Sequence, residues 1–272
     1  MTAATARRAA ATDADIADAY SAAATSWRGG PAVVYERLAA VVVAHSPVSL
    51  RDADVIDIGA GTGAASYAAL NAGARRVLAV DAAAGMLAID APRRPPSIVA
   101  DATHLPVAAT SFDVALAAFS FNHLYDPAAG FLEAARVVKR DGAIVASAYA
   151  ADDRHPVKEA VEQALRDQGW TPQPWQTEMY RARAPLLATV DRCAEVVRSA
   201  GLDATITKVR VGFPNLTARQ WVTWRLGMAQ HAPFVAALAA HQRQRVVSGA
   251  LHRLGNDAPP LVRSIMIIAV RC

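Results

Sequence analysis

Val55-Ile-Asp-Ile-Gly-Ala-Gly-Thr-Gly-Ala-Ala-Ser66 decides how this chain folds. Its apolar residues Val55, Ile56 and Ile58 make a run too short for a helix, which reads as a buried strand. Gly59, Gly61 and Gly63 follow, then a helix-like segment from Ala64 to Ala72 that Gly73 stops at a C-cap position. Strand, glycine turn and helix is how an α/β protein brings bare backbone against a nucleotide-like ligand.

The same alternation continues on both sides. Upstream, residues 13–28 and Ala32–Ala44 read as helices separated by Gly29-Gly30-Pro31. Downstream, strands are expected at 77–80, 97–100, 113–118 and 143–149, with helices at 84–90 and 127–137 between them. Strands alternating with helices give a parallel sheet covered on both faces, and right-handed crossovers make it doubly wound. Past residue 150 the pattern loosens. Helices are expected at 156–168 and 190–200, a turn-rich loop from Gly169 to Trp175, and a strand at 203–213. Two amphipathic segments (217–230 and 234–253) and a last buried strand at 264–270 follow. The expected organisation is one domain in three stretches: an N-terminal helical cap (1–50), a ligand-binding core (51–150), and a region (151–272) that completes the sheet and adds helical insertions. All five tryptophans lie outside the core stretch, which suits a pocket lid built by the additions.

Composition narrows the partners. At 272 residues, with 53% hydrophobic residues and a mean hydropathy of +0.17, the chain has ample material for a core. No uninterrupted apolar run reaches the ~18 residues of a membrane span. Arg7 and Arg8 are followed by Asp13, Asp15 and Asp18, where a signal peptide needs apolar residues. A soluble, cytoplasmic protein with no membrane partner is expected. The net charge of +4 comes from residues 151–272, where the arginines stand singly with no interleaved aromatic stripe. That reads as a solvated basic face, so no nucleic-acid partner is expected. Cys193 and Cys272 are too few and too scattered for a disulfide framework or a zinc site.

Three acids stand at strand ends on the edge where α/β proteins bind ligands: Asp57, Asp81 and Asp101. Asp81 lies twenty residues beyond Gly61, the place of a ribose-binding acid. Gly59-x-Gly61-x-x-Ala64 also satisfies the dinucleotide fingerprint, so a nicotinamide or flavin enzyme competes. A dinucleotide sets a pyrophosphate over this turn, and Asp57 would oppose it by about one to a few kcal/mol at ~4–6 Å. A cationic sulfonium ligand without phosphate turns that repulsion into attraction.

Together these motifs resemble the class I S-adenosylmethionine-dependent methyltransferases. The resemblance runs in order through Asp57-Ile-Gly59-Ala-Gly61-Thr-Gly63, then Val80-Asp81 with Gly85-Met86-Leu87, then Ala100-Asp101-Ala102-Thr103. It continues through Ser111-Phe112-Asp113-Val114 leading to Phe119-Ser-Phe-Asn-His123, and Glu133-x-x-Arg136-Val-Val-Lys-x-x-Gly142. It implies a Rossmann-like, mostly parallel seven-stranded sheet with an antiparallel last strand and a helical cap, and S-adenosyl-L-methionine as cofactor. It implies that Gly59, Ala60, Gly61 and Gly63 approach the methionine part and ribose, and that Asp57 holds the amino group. Asp81 would take the ribose hydroxyls, with Ala82 and Met86 against the adenine. Asp101, Ala102 and Thr103 would read the adenine edge, and Phe119 and Ser120 would line the methionine end. Tyr20 and Arg28 are candidates for closing over the cofactor.

Methyl transfer is an in-line displacement in which protein groups mostly align and dehydrate the reactants. His123, after the fourth strand, is the candidate catalytic base, expected to titrate in the range that takes a phenolic or carboxylic proton. Ser120-Phe-Asn-His123 lacks the proline pair that goes with methylation of exocyclic amines. Asp126, Asp152 and Asp153 form no metal-binding pattern, so no metal is expected. The tryptophan-rich additions point to a small, partly apolar acceptor, aromatic or polyketide-like. The alternative is a protein of the same fold that binds S-adenosylmethionine and catalyses a non-methylation reaction such as cyclisation. The acceptor atom and the oligomeric state stay open at this stage.

Overall fold

In the computed structural model, residues 12–272 are described; Arg7 and Arg8 lie outside the described residues. Helices α1 (Asp13–Gly29) and α2 (Ala32–Ala44) lead into β1 (Asp54–Ile58), α3 (Ala64–Asn71), β2 (Arg76–Asp81), α4 (Ala84–Ala88) and β3 (Ser97–Val99). Then come β4 (Phe112–Ala118), α5 (Pro127–Val137), β5 (Val138–Tyr149), α6 (Pro156–Arg166), α7 (Pro174–Glu178), α8 (Val190–Ser199) and β6 (Ala204–Phe213). Helices α9 (Ala218–Leu226), α10 (Ala232–Ala237) and α11 (Ala240–Leu254) precede β7 (Leu261–Arg271). The seven strands run in the order β3-β2-β1-β4-β5-β7-β6. The pairs among β1 to β5 are parallel, and β7 is antiparallel to both β5 and β6. This is the expected doubly wound sheet with its antiparallel last strand.

Alternation along each strand divides the core in two. Val55, Val114, Val145 and Ile267 face one layer, with α2, α3, α6 and α11; Ile56, Ile58, Ala115 and Ile144 face the other, with α5 and α8. The strand order reverses between β1 and β4, and that switch point opens a crevice at the C-terminal ends of the parallel strands. Because β7 runs against β5, its first residues lie at the same edge: Tyr149 is paired with Ile265.

Three expectations shift. Strand β5 starts at Val138 rather than 143, because Val138 pairs with Phe112 before a register shift. Asp141 there takes a left-handed φ of 65°. The loop expected over Gly169–Trp175 ends early, because Pro174 opens α7, which a π-helical turn (Met179–Arg183) and a 3-10 turn (Ala184–Leu187) follow. The segment expected as one helix over 234–253 is two, because Leu238 and Ala239 are extended between α10 and α11. No described helix is long and apolar enough to cross a membrane.

Candidate active site

A cavity of about 910 Å³ occupies the switch-point crevice, near the upper end of the ~300–1,000 Å³ usual for small-molecule sites. Its floor is the glycine turn. Gly59, Gly61 and Gly63 have φ of 74°, 54° and 96°, a region that a side chain makes costly. Gly59 is further constrained: a Cβ there would lie 2.2 Å from Ser120 Cβ. Ser120 Oγ in turn donates to the Ile58 carbonyl at 2.6 Å, tying β1 to the end of β4. Phe119 holds a φ of 58°, strained for a bulky residue and of the kind that collects at functional sites.

Asp57 is buried on the α3 face of the sheet. Its Oδ2 accepts from Ser66 Oγ at 2.6 Å, while its Oδ1 has no hydrogen-bond partner among the described residues. Burial above all, with Asp81 nearby, pushes the Asp57 carboxyl from 3.8 up to about 6 despite the Ser66 bond. Asp81 Oδ2 accepts from the Gly61 amide and Oδ1 from the Ala83 amide, both at 2.7 Å, and burial raises its carboxyl. Asp101 lies at the rim. Burial works to raise it, but hydrogen bonds from the Thr103 amide and hydroxyl outweigh this and hold it low. Arg94 braces the turn from behind, donating to the carbonyls of Met86, Leu87 and Gly61.

Of the residues singled out in sequence, Asp57, Gly59, Ala60, Gly61, Asp81, Ala82, Met86, Asp101, Ala102, Phe119, Ser120, His123 and Tyr20 line this cavity. Gly63 and Thr103 stand just behind the lining; Thr103 serves through its bonds to Asp101. Arg28 is not brought there: it is half-exposed and pairs with Asp90. Val99, an exposed apolar residue ending β3, also lines the rim beside Asp101. Its signal was a strand-end valine, which nothing in the sequence separates from core.

His123 does not titrate where the sequence reading puts it. Burial, then the positive charge of Arg183, pushes its imidazole from 6.5 down to about 4. Its Nε2 lies 3.3 Å from the Tyr20 hydroxyl. Arg183 donates to the His123 carbonyl at 2.8 Å and pairs with Asp13, so the 179–187 segment ties the start of α1 to the turn after β4.

The far end of the cavity was missed in sequence. An aromatic wall runs from Tyr20 through Trp27 and Tyr35 to Phe119 and Tyr149, with centroid spacings of 4.7–5.5 Å along it. Asp153, Lys158, Trp224 and Arg263 close that end. Of the five tryptophans, Trp27 and Trp224 reach the cavity, whereas Trp170 and Trp221 pack in the core and Trp175 against Ala23, Ala229 and Ala232. The three acids weighed as metal ligands are otherwise engaged. Asp126 caps α5, Asp152 pairs with Lys208, and Asp153 binds Arg263 and Lys158.

Residues 56–146 match the family described as a methyltransferase domain. The core of this chain is a class I S-adenosylmethionine-dependent methyltransferase domain. A demethylmenaquinone methyltransferase of Mycolicibacterium paratuberculosis is 40% identical over 91 residues, which are 34% of this chain and 39% of that relative. The chain thus spans about two fifths of the length of the curated relatives it matches. Among solved structures, the [4+2]-cyclase SpnF superposes with a TM-score of 0.60 at 18% identity, covering 96% of this chain and 97% of that one. A putative methyltransferase from an antibiotic biosynthesis pathway of Anabaena variabilis does so at 0.60 and 15% identity, covering 87% and 97%. At such identities the likeness is one of fold.

The methyltransferase domain's floor fits the cofactor its family implies. S-adenosylmethionine carries an ammonium and a sulfonium and no phosphate, and Asp57, whose buried Oδ1 has no hydrogen-bond partner among the described residues, lines the cavity together with Gly59 and Gly61. The matched segment contains all three acids but not Tyr35, Tyr149, Asp153, Lys158, Trp224 or Arg263.

Proposed function

We propose that this protein moves a methyl group from S-adenosylmethionine to a small, partly apolar acceptor, aromatic or polyketide-like. The observation that carries the reading is Asp57 Oδ1, buried without a hydrogen-bond partner among the described residues, beside three left-handed glycines. A buried carboxylate oxygen left without a donor is costly, and a cationic amine is the ligand chemistry that relieves it. A pyrophosphate would add to the repulsion.

When bound, S-adenosylmethionine supplies an electrophilic methyl on sulfur. Asp57 would neutralise its ammonium, and Asp81, pre-oriented by two backbone amides, would accept from the ribose hydroxyls. Met86, Ala82 and Val99 would flank the adenine, with Asp101 and the Ala102 amide at its edge. Tyr20, Trp27, Tyr35 and Tyr149 exclude water from the far side, and their faces suit a flat acceptor. His123 is a weaker base than the sequence suggests. As a neutral imidazole facing the cavity it accepts a hydrogen bond and orients the nucleophile or Tyr20, while the proton of a phenolic or enolic acceptor passes on to solvent as S-adenosylhomocysteine forms. The relatives' names point to a demethylated menaquinone as acceptor, but their similarity covers about a third of this chain. Apart from Phe119, the acceptor wall lies outside the family-matched segment, so their substrate is not carried over.

Titration calorimetry with S-adenosylhomocysteine and with NADH tests the donor end: the first should bind and the second should not. Incubation with S-adenosylmethionine and a panel of phenols and enols should then release S-adenosylhomocysteine. Tight binding with no turnover on any acceptor would favour the non-methylating alternative, cyclisation within the same pocket.

A further inference from the structure

Arg263 is buried at 1% exposure, yet it lines the cavity. It sits at the start of β7, the antiparallel strand, which is why a residue near the C-terminus reaches the ligand edge. Its guanidinium lies between two rings, 4.1 Å from the Tyr149 centroid and 4.6 Å from that of Trp224. Two of its nitrogens are spent on Asp153: Nε donates to Oδ1 at 2.9 Å and Nη2 to Oδ2. The third, Nη1, has no hydrogen-bond partner among the described residues, and neither has the neighbouring Trp224 Nε1. Both are buried donors on cavity-lining side chains.

The charges do not balance either. Among the described residues Asp153 is the one carboxylate serving both Arg263 and Lys158, whose Nζ donates to Oδ2 at 2.8 Å, and it also accepts from the Ser264 amide. Two cations on one carboxylate leave a surplus positive charge at this end of the cavity. Arg225 adds to it, because its partner Glu162, 3.5 Å away, is shared with Arg166. A buried cation with an idle donor is expensive unless something anionic arrives to use it, and guanidinium is the group best matched to a planar carboxylate.

We propose that the acceptor is an acid, whose carboxylate docks on Arg263 Nη1, Lys158 and Trp224 Nε1 while its flat body lies along Tyr149 and Phe119 toward the donor end. The Phe119 and Tyr149 ring centroids lie 4.7 Å apart, tilted by 34°, and Arg263 lies over the Tyr149 ring, so through Tyr149 the anion subsite adjoins the residue that borders the methionine end. The acceptor class is therefore an aromatic or polyketide-type carboxylic acid, with the methylated atom held away from the carboxylate. This rests on the donor-end reading for its orientation, though not for the anion subsite itself.

The test is titration calorimetry of the full chain with 1-naphthoate against 1-naphthamide, each with and without S-adenosylhomocysteine. Near neutral pH the acid should bind about tenfold or more tighter than the amide. Lys158→Gln and Trp224→Phe should each weaken naphthoate about fivefold or more and leave naphthamide and S-adenosylhomocysteine within about twofold. Lys158→Arg should retain the preference. Arg263→Gln should abolish it, but that change also strands Asp153, so the two milder variants decide. Equal affinities, no naphthoate binding up to about 10 mM, or indifference to both variants overturns the proposal. Absence of S-adenosylhomocysteine binding would instead overturn the donor reading, and the naphthoate comparison without it still stands alone.

Discussion

At the scale of single residues, Asp57 couples function to stability. Its carboxyl has an ordinary value of 3.8 and lies at about 6 in the folded chain. Between those values the folded chain holds a proton that the unfolded chain has released, so stability falls as pH rises through that window and stays lower above it. The ionised form costs the ligand-free protein about 2–3 kcal/mol, at 1.36 kcal/mol per pKa unit. Asp57→Asn should therefore raise the melting temperature at pH 8 by several degrees, at about 2–4 °C per kcal/mol for a chain of this size. The gain should shrink toward pH 4, and S-adenosylhomocysteine affinity should drop by about tenfold to a hundredfold. Scanning and titration calorimetry measure both; a melting temperature at pH 8 that does not rise would count against an ionised, uncompensated Asp57. His123 invites a second residue-scale test. With an imidazole at about 4, its loss in His123→Ala should cut turnover only modestly, by about three- to thirtyfold, with donor affinity unchanged. A loss of about a thousandfold or more would restore it as the base.

At the scale of elements, the lid is held by close backbone approach. Helix α1 crosses the ligand edge and packs on α4, where the Gly85 amide donates to Ser21 Oγ at 3.2 Å. A Cβ at Gly85 would lie 2.5 Å from the Ser21 carbonyl oxygen and 2.8 Å from its Cα. Backbone cannot swing aside as a side-chain tip can. Gly85→Ala should therefore lift α1, destabilise the chain by about 1–3 kcal/mol and raise protease cleavage within 13–29, which limited proteolysis reads directly. Unchanged cleavage and affinity would mean that α1 docks elsewhere. Elements such as α2 and α5 were legible residue for residue because local signals mark them: Pro31 ahead of one, Asp126-Pro127 opening the other, apolar periodicity between. The 179–187 turns were not, since Met-Tyr-Arg-Ala-Arg carries neither period and their conformation is set by Arg183 reaching Asp13 and His123. Arg28 misled for the opposite reason: its position at a helix end is local, but its partner Asp90 is 62 residues away in sequence.

At the scale of the whole molecule, the cavity has two ends with different legibility and opposite charge. The donor end was readable because its acids sit beside their strands in contiguous motifs. The acceptor end was not, because Tyr149, Lys158, Trp224 and Arg263 meet only when β7 turns back along β5, bringing Arg263 to Asp153 across 110 residues. That polarity predicts a pH window. Asp57, facing Ser66, Asp81 and Arg94, must be ionised to hold a cationic donor, so kcat/KM should fall as pH drops through about 6. Burial, and then Arg263, push the Lys158 ammonium from 10.5 down to about 8 against the opposing pull of Asp153, with Arg225 also lowering it and Tyr149 facing it from β5. Lys158 must be protonated to hold an acid, so kcat/KM for an acidic acceptor should fall again above about 8. The two limbs make a bell, each at most about tenfold per pH unit, and kcat/KM reports the free protein's groups. They are separable. Lys158→Arg should remove the alkaline limb alone, because a guanidinium does not titrate there, while an uncharged acceptor should lack that limb in the unaltered protein. A profile flat from pH 5 to 9 with an acidic acceptor would show that neither end of the cavity uses its charge as the geometry indicates.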